Sequence, residues 1–235
     1  MNASSPMHPR KIIRAVIGFV LFLLFVPVLL FTSAGTTDWP MAWVYVIVFL
    51  ASTLSSRLIV LKRNPDTLHE RARFTASQGT PSWDRILFAV NAFAGLSALV
   101  VAGLDHRFGW SAIIPKTGRI LAVLVLAAGH GLGDWAMVVN RFFSAVARVQ
   151  KDRGQVVVTT GPYRIMRHPA YAGAILASLA MPVMLDALWS MVPTLVMVAA
   201  MVIRTRLEDG MLQAELDGYQ RYAEETRYRL MPGLW

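Results

Sequence analysis

At positions 161–173 the chain reads GPYRIMRHPAYAG, a polar stretch between two strongly apolar parts of the sequence. The bond from His168 to Pro169 biases His168 to an extended backbone, and proline suits the first turn of a helix. The stretch therefore predicts that His168 caps a helix beginning at Pro169. The free N–H groups and positive dipole end of that helix favour an anion, with Arg167 and His168 beside it. The alternative is a cationic collar of the kind that many membrane helices have at the interface.

The composition of the whole chain indicates a membrane protein. Of 235 residues, 55% are hydrophobic and only 16% are charged, whereas soluble domains average about 25% charged residues. The absence of cysteine excludes disulfides, thiolate metal sites and a cysteine nucleophile. The net charge of +9 comes from basic residues at the ends of apolar runs, a pattern that suits anionic lipid head groups. We therefore expect membrane lipids as partners, and neither nucleic acid nor a metal.

The apolar runs predict an all-α, polytopic transmembrane helical bundle. Four full spans, a C-terminal helical hairpin and an amphipathic C-terminal helix are expected, in this order: 15–31, a second span ending near 61, 86–104, 120–139, the hairpin blocks 172–185 and 187–203, and the tail from Arg204. A polar segment at 62–84 separates the second and third spans. We interpret 1–118 as an N-terminal scaffold of three spans and 119–235 as a cofactor-binding catalytic module, together forming one integrated membrane domain.

The distribution of Lys and Arg predicts the orientation in the membrane. Segments on one side of the predicted spans contain 19 of these residues, and the two opposite loops contain 3. Positive charge concentrates on the cytoplasmic side of membrane proteins. We therefore expect an integral multi-pass protein with both termini and the 161–173 stretch in the cytoplasm.

Three further polar clusters lie in the C-terminal half. The fourth predicted span contains His130, Gly131, Gly133 and Asp134; these residues are either a small-residue packing face with a satisfied polar pair or a functional site. The second cluster, Glu208-Asp209, is either a solvated helix face or a ligand site. The third, at 228–232 with Arg229, is either a basic membrane anchor or part of the site.

Taken together, the clusters fit one ligand, S-adenosylmethionine. Arg167, His168 and the helix N-terminus suit its carboxylate, and Glu208 or Asp209 suits its ammonium group. Tyrosine faces attract a sulfonium as aromatic cages attract quaternary ammonium. Glycines such as Gly131 and Gly133 allow the backbone to approach the adenosine closely.

These motifs resemble the superfamily of isoprenylcysteine carboxyl methyltransferases and phospholipid methyltransferases, which are integral membrane enzymes. The resemblance covers about 129–235 and rests on GLGDW at 131–135, GPYxxxRHPxYxG at 161–173, Glu208-Asp209 with Leu212, GYxxY at 218–222 and RLMP at 229–232. It implies S-adenosylmethionine bound near the cytoplasmic face and a lipophilic acceptor that enters from the bilayer. By this likeness the cofactor contacts are Tyr163, His168, Pro169, Tyr171 and Glu208.

Two features of the chain bear on the methyl acceptor. Where the family usually has two glutamates, this chain has Glu208-Asp209. Prenylcysteine enzymes are expected to have an arginine in the helix before the motif, but 120–139 contains none. The missing arginine argues against carboxyl methylation of a prenylcysteine. The acceptors considered are a prenylcysteine carboxylate, a phospholipid amine and a small lipophilic acid.

The hypothesis is an in-line methyl transfer in which the protein mainly orients the two reactants and excludes water. An amine acceptor must be neutral, and His130 or Asp134 is then the candidate base; Arg229 completes the candidate catalytic set. The alternatives are a membrane sterol-type reductase that uses NADPH, and a non-catalytic scaffold whose cofactor pocket is blocked or absent.

Overall fold

The computed structural model describes residues 9–63 and 80–235. This part of the chain forms seven α-helices: α1 (Pro9–Ala34), α2 (Pro40–Arg63), α3 (Ser82–Phe108), α4 (Lys116–Val139), α5 (Pro169–Met184), α6 (Met191–Glu215) and α7 (Tyr219–Glu225). Short 3₁₀ turns occur at Lys151–Arg153, Gly161–Arg164 and Leu188–Ser190. Most of the predicted polar segment at 62–84 and the first eight residues lie outside the described residues.

The predicted polytopic helical bundle is confirmed. Five helices are long and apolar enough to cross a membrane, namely α1 to α4 and α6 with the turn before it, and α5 is a shorter apolar helix. Large apolar side chains are exposed along them, as Leu21 at 61% and Phe93 at 76% illustrate. Surfaces of this kind suit lipid and are uncommon on soluble monomers.

The boundary predicted at Arg204, between the helical hairpin and the amphipathic C-terminal helix, was wrong. The second arm of the hairpin continues as one 25-residue helix, α6, and the C-terminal amphipathic helix is the separate α7. Arg204 and Asp209 do not end the helix because both are buried and paired: Arg204 with Asp84, and Asp209 with Arg167. Sequence hydropathy counts such residues as solvent-exposed, and this explains the error.

Close backbone contact between α4 and α5 sets the position of the 161–173 stretch. A Cβ atom on either Gly129 or Gly173 would overlap the carbonyl oxygen of the other glycine. Small residues at a helix crossing permit this approach in membranes. In the rest of the bundle, α3 packs against α1 and α6, and α2 packs against α4.

Buried polar groups connect the helices at both ends of the bundle. At the end that holds residues 161–173, here called the motif end, Arg204 Nε lies 2.7 Å from Asp84 Oδ1 and joins α6 to α3. At the opposite end, Asp105 accepts hydrogen bonds from Ser111 and from the backbone N–H of Trp189. Each link therefore connects separate segments of the chain at its own end of the bundle.

Candidate functional site

Asp209 is the centre of a buried ionic cluster at the motif end. Its side chain is fully buried, and its two oxygens lie 2.7 and 2.8 Å from Nε and Nη2 of Arg167. The other partners of this carboxylate, His168, Gln213, Tyr219 and Arg229, lie within 3.3 Å. We call these six residues the Asp209 cluster. Since protein groups occupy both oxygens, Asp209 holds the fold together here.

Arg167 ties the 161–173 stretch to the C-terminal segment as well as to α6. Its Nη1 atom donates to backbone carbonyls, at 2.7 Å for Thr226 and 3.0 Å for Arg227. Burial by itself disfavours a charged guanidinium, but the bonds to Asp209 and its charge outweigh that effect and raise the pKa of Arg167. The backbone N–H groups of Arg167 and His168 donate to the carbonyls of Tyr228 and Arg229. The C-terminal segment therefore holds the 161–173 stretch in place through these hydrogen bonds.

An open cavity lies beside this cluster and is called here the motif cavity. Its cavity volume is about 100 Å³, and it is open to solvent. The predicted cofactor contacts Tyr163, Arg167, His168, Pro169, Tyr171 and Glu208 all line it. The structure thus brings together residues from the 161–173 stretch and from α6, as the sequence predicted.

The start of α5 borders the motif cavity. His168 is the N-cap residue and Pro169 occupies the first turn, which confirms the helix start predicted from the sequence. Ala170 and Tyr171 follow in that turn and line the cavity. The N–H groups in the first turn of a helix have no partner within it. A negatively charged group in the motif cavity would therefore meet the positive end of α5.

Glu208 and Tyr171 form the polar contact of the motif cavity. The Tyr171 hydroxyl donates to Glu208 Oε2 at 2.6 Å, and both side chains line the cavity. The ring of Tyr171 stacks on that of His168, with centroids 5.7 Å apart and planes inclined by 2°. The guanidinium of Arg204, on α6, lies 5.4 Å from the centroid of the Tyr171 ring. The acid and the aromatic ring are therefore held in place without a ligand.

Three buried tyrosines surround the same cavity and stay neutral. Burial raises the pKa of Tyr163 to about 12, against a weak opposing effect of its hydrogen bond from Asn140. Burial also raises the pKa values of Tyr219 and Tyr222. The Tyr222 hydroxyl donates to the Tyr163 carbonyl at 2.7 Å. These side chains supply aromatic faces and fixed hydrogen bonds, and they are unsuited to act as bases at neutral pH.

The predicted pair of His130 and Asp134 lies in a second cavity, inside the helical bundle. This membrane cavity has a volume of about 400 Å³ and is lined by five helices, α2 to α6. Gly133 lines it too, whereas Gly131 lies on the exposed surface of α4 with no atom near its Cβ position. The structure therefore separates the glycine-rich cluster from Glu208 and His168, which line the motif cavity.

The two cavities are adjacent at the first turn of α5, since Ala170 lines both. Asp134 precedes Asn140, which borders the motif cavity, by six residues, or about 9 Å along a helix axis. Arg229 lines neither cavity and belongs to the Asp209 cluster. In the part of the chain described here, no group of three or more His, Asp or Glu side chains is placed to hold a metal ion.

Sequence reasoning missed Asp84, Arg204 and the two serines of α2 that contact Asp134. Asp84 Oδ2 accepts from the backbone N–H of Ala147, and Arg204 donates to the Ala145 carbonyl, so this pair fixes a wall of the motif cavity. Ser55 and Ser56 both donate to Asp134. The available signals were weak: an acid and an arginine near span ends, and a serine pair in an apolar run.

Comparisons with known proteins agree with this architecture. Residues 118–216 match the model of the phospholipid methyltransferase family. The fold is similar to the solved structure of a eukaryotic intramembrane Ras methyltransferase, isoprenylcysteine carboxyl methyltransferase. That match has a TM-score of 0.54 and 18% identity, and it covers 90% of this chain and 74% of the other. No curated protein sequence matches the chain.

Proposed function

Because residues 118–216 match the phospholipid methyltransferase family and the chain has the fold of an isoprenylcysteine carboxyl methyltransferase, we propose that it is a membrane methyltransferase that uses S-adenosylmethionine. The comparisons confirm the resemblance to this superfamily that the sequence predicted. They favour a methyltransferase over the reductase alternative. The open motif cavity argues against a scaffold with a blocked pocket. The acceptor is a lipophilic molecule from the bilayer.

The observation that carries the proposal is the set of groups around the motif cavity. Glu208 offers an oxygen to an ammonium group, and the first turn of α5, beside His168, offers N–H groups and its positive dipole end to a carboxylate. The rings of Tyr163, Tyr171 and Tyr222 offer faces to a sulfonium. These are the three charged groups of S-adenosylmethionine, so the residues fit this cofactor.

The roles proposed for individual residues follow their positions. Glu208, His168, Tyr171, Tyr163 and Pro169 hold the cofactor. Arg167, Asp209 and Arg229 keep these residues in place through the Asp209 cluster. His130, Asp134 and Gly133 face the acceptor in the membrane cavity. The sequence predicted that Gly131 contributes to cofactor binding; its place on the surface of α4 gives that role no support.

The chemistry then depends on placing two reactants at the contact between the cavities. When bound, S-adenosylmethionine supplies a methyl group that is already activated by its positively charged sulfur. The protein orients the acceptor, excludes water from the membrane cavity and receives a proton where the acceptor has one to lose. The sequence has 19 Lys and Arg on the side of the predicted spans that includes the 161–173 stretch and 3 on the other, and this bias supports a cytoplasmic position for the cofactor site.

A methyl-transfer assay tests the proposal. Purified protein in lipid vesicles receives S-adenosylmethionine with a tritiated methyl group, and organic extracts are separated into lipid classes. We expect label in a lipophilic product, and at least a tenfold lower rate for Glu208→Gln. Asp217→Asn, an exposed acid outside both cavities, is the matched control. Absence of label from all lipophilic fractions would contradict the proposal.

A further inference from the structure

Arg204 lies four residues before Glu208 on α6, and both side chains lie beside Tyr171. The Arg204 guanidinium is 5.4 Å from the centroid of the Tyr171 ring, and the Tyr171 hydroxyl donates to Glu208 Oε2 at 2.6 Å. Side chains four apart on a helix are neighbours, and opposite charges at this spacing attract each other. Helix α6 by itself therefore offers Arg204 as an ion-pair partner for Glu208, the acid that lines the motif cavity.

Asp84, at the start of α3, binds Arg204 instead. Its Oδ1 atom accepts from Arg204 Nε at 2.7 Å, and both residues are buried, with 1% and 9% exposed. The Nη2 atom of Arg204 donates to the Ala145 carbonyl at 2.8 Å. The backbone N–H of Ala147 donates to Asp84 Oδ2 at 3.0 Å. A buried charge needs a counter-ion and hydrogen bonds to offset its lost hydration, and these groups supply them to Arg204.

In this arrangement the carboxylate of Glu208 keeps capacity for a ligand. An ionised carboxylate accepts several hydrogen bonds, and the Tyr171 hydroxyl takes part of that capacity. A guanidinium in direct contact with Glu208 would occupy its oxygens and compensate its charge. A ligand ammonium would then have to displace Arg204 before it could bind. The counter-ion of Arg204 therefore bears on how strongly the motif cavity holds a positively charged group.

We propose that Asp84 is a positioning residue for the cofactor site: it holds the Arg204 guanidinium away from Glu208 and leaves this acid to the ammonium group of S-adenosylmethionine. This inference rests on the proposed function and deepens it. Asp84 lines neither cavity, so it acts through Arg204. It also lies outside residues 118–216, which match the family model. The N-terminal helices therefore contribute to cofactor affinity as well as to the membrane scaffold.

Calorimetric binding of two ligands to the purified protein tests the inference. S-Adenosylhomocysteine carries the ammonium group, and 5′-methylthioadenosine keeps the adenosine without the amino acid part. We expect Asp84→Asn to weaken binding of the first by about tenfold or more, as for a lost hydrogen bond between charged groups, and binding of the second by less than about threefold. A role of Asp84 in the fold alone would lower both affinities equally, and that result overturns the inference.

Asp186→Asn is the matched control. Asp186 accepts from Arg119 Nη1 at 3.1 Å and from the backbone N–H of Ile114 at 2.7 Å. It thus combines the same two kinds of bond as Asp84, at the opposite end of the bundle. We expect this variant to bind both ligands as the wild type does. A loss of S-adenosylhomocysteine affinity as large as that of Asp84→Asn overturns the inference.

The double variant Asp84→Asn/Arg204→Gln separates competition by Arg204 from a general loss of structure. The competing cation is gone, and a glutamine amide is still a donor for the Ala145 carbonyl. We expect S-adenosylhomocysteine to bind within about threefold of its wild-type affinity, whereas losses from a weakened fold would accumulate. Weaker binding overturns the inference, and this comparison does not require the single variant to fold. The absence of binding to the wild type would instead count against the proposed function, so the two failures are distinguishable.

Discussion

Nε and Nη2 of Arg167 donate to the two carboxylate oxygens of Asp209, although 42 residues separate the two side chains in sequence. The pair is almost completely buried, with 4% and 0% of the side chains exposed. It joins the 161–173 stretch to α6, so Glu208, the neighbour of Asp209, faces the motif cavity beside Tyr171 and His168. The shape of the cavity therefore depends on an ion pair that a ligand does not need to contact.

Asp209→Asn should lower the free energy of unfolding. The change leaves the Arg167 charge buried without its counter-ion, and breaking such a pair costs about 3–5 kcal/mol. The measurement is the free energy of unfolding in detergent, with Asp217→Asn as the matched exposed control. An Asp209→Asn protein as stable as that control would show that the cluster is not structural.

Gly173→Ala should destabilise the contact between α4 and α5. A Cβ atom there overlaps the Gly129 carbonyl, and overpacking of this kind typically costs about 1–3 kcal/mol. Gly131→Ala is the control, because its Cβ meets no atom within 4 Å and alanine favours a helix. In thermal unfolding in detergent, the melting temperature of Gly173→Ala should be well below that of the wild type. The melting temperature of Gly131→Ala should be equal to or higher than that of the wild type. Equal melting temperatures for the two variants would contradict the glycine crossing.

Tyr171→Phe should weaken cofactor binding and leave the fold intact. The ring that stacks on His168 is kept, and only the hydroxyl that donates to Glu208 is lost. A hydrogen bond to a charged group is worth about 1.5–3 kcal/mol, or about tenfold or more in affinity. Calorimetry with S-adenosylhomocysteine measures the effect, with Tyr228→Phe, outside both cavities, as control. Unchanged affinity would mean that Glu208 needs no orientation by Tyr171.

Alkaline unfolding should depend on the buried tyrosines. Burial raises the pKa of Tyr163 to about 12, so the folded protein holds this proton when the unfolded chain has released it. The resulting stability is complete below about pH 10 and falls as pH rises from 10 to 12, by up to about 1.4 kcal/mol per pH unit. Tyr163→Phe should flatten that fall in urea unfolding at stepwise increasing pH. If Tyr163→Phe left the pH dependence of the free energy of unfolding unchanged, the Tyr163 hydroxyl would be solvent-exposed in the folded protein, which contradicts the prediction.

The sequence predicted the helical bundle and several residues that line the motif cavity. Two of the signals have clear physical reasons. Long apolar runs have few alternatives to spanning helices, and the His168–Pro169 bond marks a helix start. The different environments of Glu208 and Asp209 could not be predicted, because adjacent residues on a helix face about 100° apart. Which of them is buried depends on the neighbouring helices. The contacts between Asp134 and Ser55 also depend on the packing of α2 against α4, which hydropathy does not encode.

The most direct test is equilibrium binding of S-adenosylhomocysteine to the purified protein. We expect one molecule bound per chain, and at least tenfold weaker binding to Glu208→Gln and to His168→Ala. Asp134→Asn should bind as wild type does, because it lines the other cavity. The absence of binding to the wild type, or equal binding to wild type and Glu208→Gln, would contradict the assignment of the motif cavity as the cofactor site.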